Sequence, residues 1–90
     1  MIVTVAKVED FDQFLKTFAT AGVEKRREHG CRGSRVFRDP DDPDKVWVVF
    51  DWDIEDYEGF LADPDIPAIA RQLALKEPPV EAKPVAQYDA

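Results

Sequence analysis

KVWVVFDWD, residues 45–53, decides the fold, because this stretch is predicted to be a strand with two apolar faces. Side chains alternate across a β-strand, so one face is entirely apolar and carries Val46, Val48, Phe50 and Trp52. The opposite face carries Trp47 and Val49, and it has aspartate only towards its end. The helices of one chain can cover only one of these faces. We therefore expect Trp47 and Val49 to be covered by a second molecule.

Composition limits the kinds of partner that the chain can have. Its 90 residues are enough for a single domain, residues 1–90, with a small core. The net charge of -7 argues against nucleic acid and against an anionic membrane surface, since both attract clusters of Lys and Arg. No apolar run approaches the ~20 residues of a membrane span, and the N-terminal residues do not have the features of a signal peptide. The single Cys31 cannot form an internal disulfide, so a cytoplasmic location is expected.

Strands and helices are predicted to alternate along the chain as β-α-β-β-α-β. The predicted strands are rich in β-branched or apolar residues and comprise residues 2–8, 31–38, 45–53 and 80–88. The first helix has Asp10 as its N-cap, a bend at Gly22 and Gly30 at its end. Asp53 and Asp65 are the predicted N-caps of two later helical segments. A proline inside the last strand predicts an edge position or a bulge.

This order of elements is that of the ferredoxin-like α+β fold. The fold has a four-stranded antiparallel sheet with both helices on one face, and its other face is bare. A large exposed apolar face marks an interaction surface. We therefore predict a homodimer in which two sheets pack face to face, with Trp47 and Val49 in the interface.

An acidic loop, DPDDPD at residues 39–44, joins the second and third strands. Its two prolines and four aspartates predict a hairpin turn. Calcium is the alternative, but the calcium loop of an EF-hand needs a central glycine and a glutamate at its twelfth position. Neither is present, so a solvated acidic turn is predicted.

Residues 29–66, HGCRGSRVFRDPDDPDKVWVVFDWDIEDYEGFLADPDI, resemble the antibiotic-biosynthesis-monooxygenase-like family of small dimeric α+β barrels. The similarity is sharpest at residues 50–66, where a strand ending in aromatic-acid-Trp enters a helix with a Phe-Leu pair and an Asp-Pro break. The resemblance implies a dimeric α+β barrel with a ligand pocket between sheet and helices, lined by a Trp that matches Trp52. Such proteins include cofactor-free oxygenases, haem-degrading enzymes, aldehyde- or polyketide-processing proteins and members without an assigned role.

Haem is not expected in this chain. The haem-degrading branch has an asparagine on the first strand and a histidine on the second helical segment. This sequence contains no asparagine, and the corresponding helical segment reads AIARQ at residues 68–72. We therefore predict no cofactor. The missing asparagine also weakens the oxygenase reading, because an amide can polarise a substrate or bound oxygen.

Three residues are the predicted ligand contacts. Trp52 would present its indole N–H to a ligand oxygen, although a core position at the strand end is the alternative. Tyr57 would donate a hydrogen bond to a ligand or, alternatively, anchor the second helix on the sheet. Arg35 lies in the middle of a strand. An inward position would require a carboxylate partner or an anionic ligand, and the alternative is an ion pair with Asp51 of a second subunit.

His29 is the predicted catalytic residue, since it is the only histidine and histidine is the usual general base near neutral pH. In a cofactor-free oxidation it would remove a phenolic proton. Its position just before Gly30 makes a capping role at the helix C-terminus the alternative. His29 and Cys31 together suggest a metal, but two ligands are too few for a closed zinc site. No metal site is predicted.

The sequence favours a non-catalytic small-molecule-binding or accessory protein, with a small aromatic compound as the expected kind of ligand. The alternative is a cofactor-independent monooxygenase acting on an aromatic or polyketide-like small molecule. The absence of asparagine and the lone, capping-type histidine favour the first hypothesis. The cavity beside Trp52 is the discriminating feature. A volume of several hundred cubic ångströms with convergent polar groups would support ligand binding, and a packed interior would exclude the enzyme.

Overall fold

The chain folds as a four-stranded antiparallel sheet with its helices on one face. The computed structural model describes all residues, Met1–Ala90. The elements, in chain order, are β1 (Ile2–Lys7), α1 (Phe11–Ala19), α2 (Ala21–Glu28), β2 (Gly33–Arg38), β3 (Lys45–Asp51), α3 (Ile54–Leu61), α4 (Ile66–Gln72) and β4 (Val80–Ala82). The strand order in the sheet is β2-β3-β1-β4. The predicted ferredoxin-like α+β fold is confirmed.

Strand β3 lies between β1 and β2 in the sheet. The register places Trp47 opposite Val5 of β1 and Phe37 of β2. The residues of the other face, Val46, Val48 and Phe50, are all buried. The all-apolar face therefore meets the helices, and the face that contains Trp47 points away from them.

An aromatic cluster fixes α3 on the sheet. Trp52, just beyond β3, is only 1% exposed, and its ring centroid lies 4.9 Å from that of Phe60 and 5.3 Å from that of Tyr57. The ring centroid of Phe50 lies 5.5 Å from that of the same tryptophan. Edge-to-face aromatic pairs of this kind contribute about 0.5–1.5 kcal/mol each beyond their burial. The end of β3 and the inner face of α3 thus form one packing unit.

The open face of the sheet carries apolar residues on every strand. Its residues, which alternate with those of the core, include Val3, Val5, Phe37, Trp47, Val49, Val80 and Ala82. Phe37 is 50% exposed and Val80 is 62% exposed. The indole Nε1 of Trp47 donates to Oδ2 of Asp39 at 3.2 Å, so the acidic loop satisfies the polar edge of this ring. No element of the chain packs over the rest of the face. No helix combines the length and the apolar character needed to cross a membrane.

The acidic loop is a self-capped turn. Oδ1 of Asp39 accepts hydrogen bonds from the backbone N–H groups of Asp41 and Asp42, and Oδ1 of Asp42 accepts one from Asp44. The bond from the Asp41 N–H, followed by the one from the Trp47 indole, lowers the pKa of Asp39. These carboxylates stabilise the turn itself, in agreement with a solvated acidic turn.

The first helical region differs from its predicted form. It consists of two helices that meet at Thr20, where φ is -114° and ψ is -96°, rather than one helix bent at Gly22. The Thr20 hydroxyl donates to the Lys16 carbonyl at 2.8 Å and so takes a bond that the continuing helix would otherwise make. Gly22 lies inside α2 and has a different function, described below.

All four strands are shorter than predicted, β1 by one residue and β3 by two residues at their ends. β2 begins at Gly33 instead of residue 31, because the backbone N–H of Cys31 donates to the Arg26 carbonyl at 2.9 Å and thereby extends the end of α2. β4 ends at Ala82 instead of residue 88, so Pro84 lies beyond the strand and not inside it. The edge position of β4 next to β1 agrees with the prediction.

The two glycines that flank the turn into β2 give a matched test of backbone strain. Gly30 has φ of +81°, and a Cβ atom there would lie 3.1 Å from Oδ2 of Asp56. We expect Gly30→Ala to lower the free energy of unfolding by about 1 kcal/mol, because left-handed alanine costs roughly 1–2 kcal/mol and regains part of this from the unfolded chain.

Gly33→Ala is the control, since a Cβ atom there meets nothing within 4 Å. It should leave stability unchanged or raise it by up to about 1 kcal/mol. Urea denaturation of both variants measures the difference. Equal losses of stability would contradict the assignment of strain to Gly30.

Candidate functional site

A cavity of about 130 Å³ lies between the helices and the inner face of the sheet. Its walls are almost entirely apolar and comprise Thr4, Ala6, Phe14, Phe18, Gly22, Arg26, Val46, Val48, Phe50, Tyr57, Phe60, Leu61, Ile66, Ile69, Ala70, Leu73, Leu75 and Pro79. Leu61 and Pro79 are exposed and lie at its rim. All four helices and the two central strands contribute to this one space.

The volume limits what the cavity can hold. At about 130 Å³ it is smaller than the several hundred cubic ångströms expected for a ligand pocket, but the interior is not packed solid. An engineered protein cavity of ~150 Å³ accommodates benzene. The space therefore corresponds to about one six-membered ring, and a polycyclic ligand would not fit it as it stands.

Three buried polar side chains interrupt the apolar wall. Thr4, Tyr57 and Arg26 are 5%, 6% and 7% exposed, and each lines the cavity. The hydroxyls of Thr4 and Tyr57 belong to residues of this wall, and no fully buried side-chain nitrogen or oxygen of the protein lacks a hydrogen-bond partner. Burial, and secondarily the Glu81 carboxylate, raises the pKa of Tyr57, so its hydroxyl stays protonated near neutral pH. Hydroxyl groups able to bond a ligand thus line an otherwise apolar space.

Arg26 was not predicted as a site residue. Its guanidinium lies 3.7 Å from the centroid of the Phe18 ring, and its Nη2 donates to the Phe18 carbonyl at 2.9 Å. A Cβ atom on Gly22 would lie only 2.7 Å from Nη1 of Arg26, so the glycine leaves the space that the guanidinium occupies. Gly22 and Arg26 are four residues apart on α2, and this spacing was the sequence signal that they share one face of the helix.

Trp52 does not line the cavity, in contrast to the role implied by the family resemblance. The side chain is 1% exposed, and its indole Nε1 donates to the backbone carbonyl of His29 at 2.8 Å. The indole N–H is therefore satisfied inside the protein and is not free for a ligand oxygen. This arrangement matches the alternative interpretation of Trp52 as a core aromatic at a strand end. Tyr57, in contrast, both packs on the sheet and lines the cavity.

His29 lies outside the cavity wall, in a cluster of charged residues. Its Nε2 is 2.8 Å from Oδ2 of Asp63, and its ring meets the Phe60 ring edge to face at 5.9 Å. Lys25 belongs to the same cluster, since its Nζ lies 3.2 Å from Oδ2 of Asp63 and 2.7 Å from Oδ2 of Asp65. These contacts connect the end of α2 to the turn between α3 and α4. The general-base role of His29 stays a prediction, and this side chain is not among those that line the cavity.

The carboxylate of Asp63 is the most strongly stabilised anion of this cluster. The hydrogen bond with His29, then the backbone N–H of Asp65 and the neighbouring Lys25, lower the pKa of Asp63 to about 2. Bonds to an ionised carboxylate favour the charged form and outweigh the partial burial that opposes it. Asp63 therefore acts as the centre of a structural network.

A metal site at this cluster is not supported. Ligand atoms of Glu28, His29 and Asp63 lie within 4.8 Å of one another. The Lys25 ammonium, however, already bonds Glu28 at 3.0 Å and Asp63 at 3.2 Å and supplies the positive charge that a cation would bring. Cys31 is not part of the group, and its thiol donates to the Gly33 carbonyl at 3.4 Å.

Arg35 is exposed and lies on the open face of the sheet, opposite Val49 in the register. The inward position considered from the sequence is therefore wrong, because β2 places the odd-numbered residues of this stretch away from the helices. Within the chain, Asp51 pairs instead with Arg32, whose Nη2 lies 3.0 Å from Oδ1. A ligand contact by Arg35 inside the cavity is excluded by this geometry.

The low pKa of Asp63 predicts a definite pH dependence of stability. An unfolded aspartate titrates near pH 3.9, whereas folded Asp63 titrates near 2. Its contribution is fully present above about pH 4 and is lost as the pH falls towards 2. We expect Asp63→Asn to flatten the dependence of unfolding free energy on pH over this range, as measured by urea denaturation at several pH values.

Asp41→Asn is the matched control, since the exposed Asp41 carboxylate forms no hydrogen bond within the protein. This variant should keep the wild-type slope. An unchanged slope for Asp63→Asn would show that the network does not stabilise the folded state.

Comparison with solved structures identifies the same architecture in several proteins. One of them is SnoaB, a cofactor-independent oxygenase from Streptomyces nogalater, whose structure was solved for a variant with one asparagine replaced by alanine. Its sequence is 17% identical to this chain and the TM-score is 0.72. The match covers 99% of this chain and 95% of that chain. A Bordetella bronchiseptica protein described as an antibiotic biosynthesis monooxygenase is 20% identical, with a TM-score of 0.72. The match covers 94% of this chain and 95% of that protein. A Chloroflexus aurantiacus protein of the same description is 23% identical, with a TM-score of 0.59. The match covers 97% of this chain and 93% of that protein.

These identities are low, so the structural similarities establish the fold and not the activity. No curated protein matches the chain. The family model for antibiotic biosynthesis monooxygenases matches residues 2–72, which include every element from β1 to α4. Together with the ferredoxin-like topology, this match shows that the chain belongs to the antibiotic biosynthesis monooxygenase family.

Proposed function

We propose that the protein binds a small molecule, about the size of one aromatic ring, in the cavity between its helices and its sheet. The observation that carries this proposal is an apolar cavity of about 130 Å³ into which polar groups are built. Ligand sites typically combine such walls with a few polar groups that fix orientation. Thr4 and Tyr57 supply hydroxyls to the wall, and Arg26 supplies a guanidinium.

The cavity supports binding better than catalysis. None of the residues that line it is a histidine, a carboxylate, a lysine or a cysteine. A general base must come within hydrogen-bond reach of the proton it removes, and His29 is bonded to Asp63 outside the wall. A protonated tyrosine and a guanidinium can orient or stabilise a ligand, but neither removes a proton near neutral pH.

A cofactor-independent monooxygenase is the second candidate, favoured by the shared fold with SnoaB, which is described as such an oxygenase. An electron-rich phenol such as resorcinol would react with one O₂ to give a hydroxyquinone and one water, so that the substrate supplies all the electrons. Arg26 would stabilise the phenolate formed on the way. The step lacks a base at the cavity, and this places the oxygenase second.

A pair of variants on α4 tests the cavity as the binding site. Ala70 lines the cavity, whereas Ala68 on the same helix is exposed and does not. We expect Ala70→Leu to weaken binding of benzyl alcohol about tenfold or more, because a larger side chain would occupy the site and overpacking costs about 1–3 kcal/mol. Ala68→Leu should bind like the wild type. Chemical-shift titration by NMR gives both affinities.

Failure of the wild type to bind benzyl alcohol, or equal affinities of the two variants, would contradict the proposed site. Oxygen uptake with resorcinol distinguishes the two candidate functions. The binding protein should consume no oxygen above the rate of resorcinol in buffer. Uptake that is lost in Ala70→Leu and retained in Ala68→Leu would establish the oxygenase instead.

We further infer a homodimer formed through the open face of the sheet. Apolar residues line all four strands of this face, and Phe37 and Val80 are at least half exposed in the isolated chain. A second copy presents the same apolar surface, so two sheets stacked face to face would cover Trp47 and Val49 together. Exposed apolar patches that extend over several residues mark interaction sites.

Trp47→Glu should dissociate the dimer or prevent folding, because an unpaired charge buried in an interface costs several kcal/mol. Leu15→Glu on α1 is the control, since Leu15 is already 39% exposed on the opposite side of the molecule. Native mass spectrometry reports the subunit count of both variants. A dimer of Trp47→Glu, or a wild-type monomer at micromolar concentration, would contradict this interface.

A further inference from the structure

We propose that Arg26 makes the cavity selective for anions, so that the ligand is a small aromatic carboxylate whose ring fills the apolar space and whose carboxylate pairs with the guanidinium. This inference rests on the proposed binding function and adds the chemical class of the ligand. It assigns to Arg26 the specificity of the site.

Arg26 is a buried cation without an anionic partner. Arg26 is only 7% exposed, and no carboxylate of the chain lies within ion-pair distance of its guanidinium. The other arginine near this end of β3 is paired, since Arg32 contacts both Asp51 and Asp53. Buried charges in proteins are normally paired, because removing an ion from water without a counter-ion is unfavourable. Arg26 is the exception in this molecule, and it lies in the cavity wall.

Most of the donors of Arg26 are free. A guanidinium has five N–H groups, and the single hydrogen bond that Arg26 makes runs from Nη2 to the Phe18 carbonyl. Nη1 lies at the place that a side chain on residue 22 would fill, and Gly22 itself lines the cavity. The glycine therefore both admits the guanidinium and leaves Nη1 beside open space.

The surroundings keep the cation in place without neutralising it. Cζ of Arg26 lies over the Phe18 ring, 3.7 Å from its centroid, and this cation-π contact compensates part of the lost hydration. Burial lowers the pKa of Arg26 to about 10, which still leaves the group charged at neutral pH. A ligand carboxylate would supply both the missing charge and two acceptors in the planar geometry that a guanidinium prefers.

The walls of the cavity select a carboxylate on a ring over a phosphate. Only one cation lines the space, and residues such as Phe14 and Val48 form the rest. A doubly charged phosphate would leave one charge unpaired in apolar surroundings, and the net charge of -7 disfavours polyanions generally. A singly charged aryl carboxylate matches both the single guanidinium and the volume of about one ring.

The test compares benzoate with benzyl alcohol, a neutral ligand of similar shape, by NMR titration near neutral pH. The wild type should bind benzoate about tenfold or more tightly, as expected for charge-assisted hydrogen bonds. Arg26→Met should remove this preference while it still binds benzyl alcohol. Arg27→Met is the matched control, because Arg27 is its exposed neighbour and does not line the cavity. It should keep the preference for benzoate.

Gly22→Ala provides a second variant if Arg26→Met does not fold. The added methyl group would meet Nη1 of Arg26 at 2.7 Å and displace the guanidinium, so this variant should lose affinity for benzoate more than for benzyl alcohol. Equal wild-type affinities for the two ligands would overturn the role of Arg26 and leave the binding function intact. Loss of benzoate binding in Arg27→Met alone would place the anion on the outer surface. Binding of neither ligand would overturn the proposed function itself.

Discussion

Burial of one face of β3 is the interaction on which the rest of the structure depends. Val46, Val48 and Phe50 are 1%, 5% and 7% exposed, and burying each side chain contributes about 1.5–3 kcal/mol. Because side chains alternate along a strand, the same burial turns Trp47 and Val49 towards the opposite side. A single layer of helices can cover only one of the two faces of a sheet. An open apolar face is therefore the geometric consequence of the core.

The cavity shows a second compromise between stability and binding. Filling the space with larger side chains would add packing contacts, and replacing Gly22 would remove the room occupied by Arg26. The chain instead keeps an unfilled volume and a buried cation at the same place. Features that each oppose stability coincide where a ligand would satisfy them. The carboxylate of Asp63, in contrast, is paired with Lys25 and His29.

The sequence predicted the architecture because the fold follows from patterns of polar and apolar residues, and these are written in the chain itself. The element order and the edge position of the last strand could both be inferred in this way. The break at Thr20 could not, because it depends on a local competition for the Lys16 carbonyl. The site was harder still. The Trp52 indole is satisfied by a backbone carbonyl, which every residue has and which therefore leaves no sequence signature. Arg26 lies within a basic run typical of a helix end, so its burial depends on packing that only the folded chain defines.

The two tryptophans occupy opposite sides of one sheet and therefore report on different events. Trp52 is sealed under the helices, and Trp47 is only partly covered and carries a hydrogen bond to the acidic loop. Indole fluorescence depends on exposure to water. The emission of Trp52 follows the integrity of the helical layer, while that of Trp47 follows whatever covers the open face. The protein thus contains two intrinsic optical probes, and replacing either tryptophan with phenylalanine isolates the signal of the other.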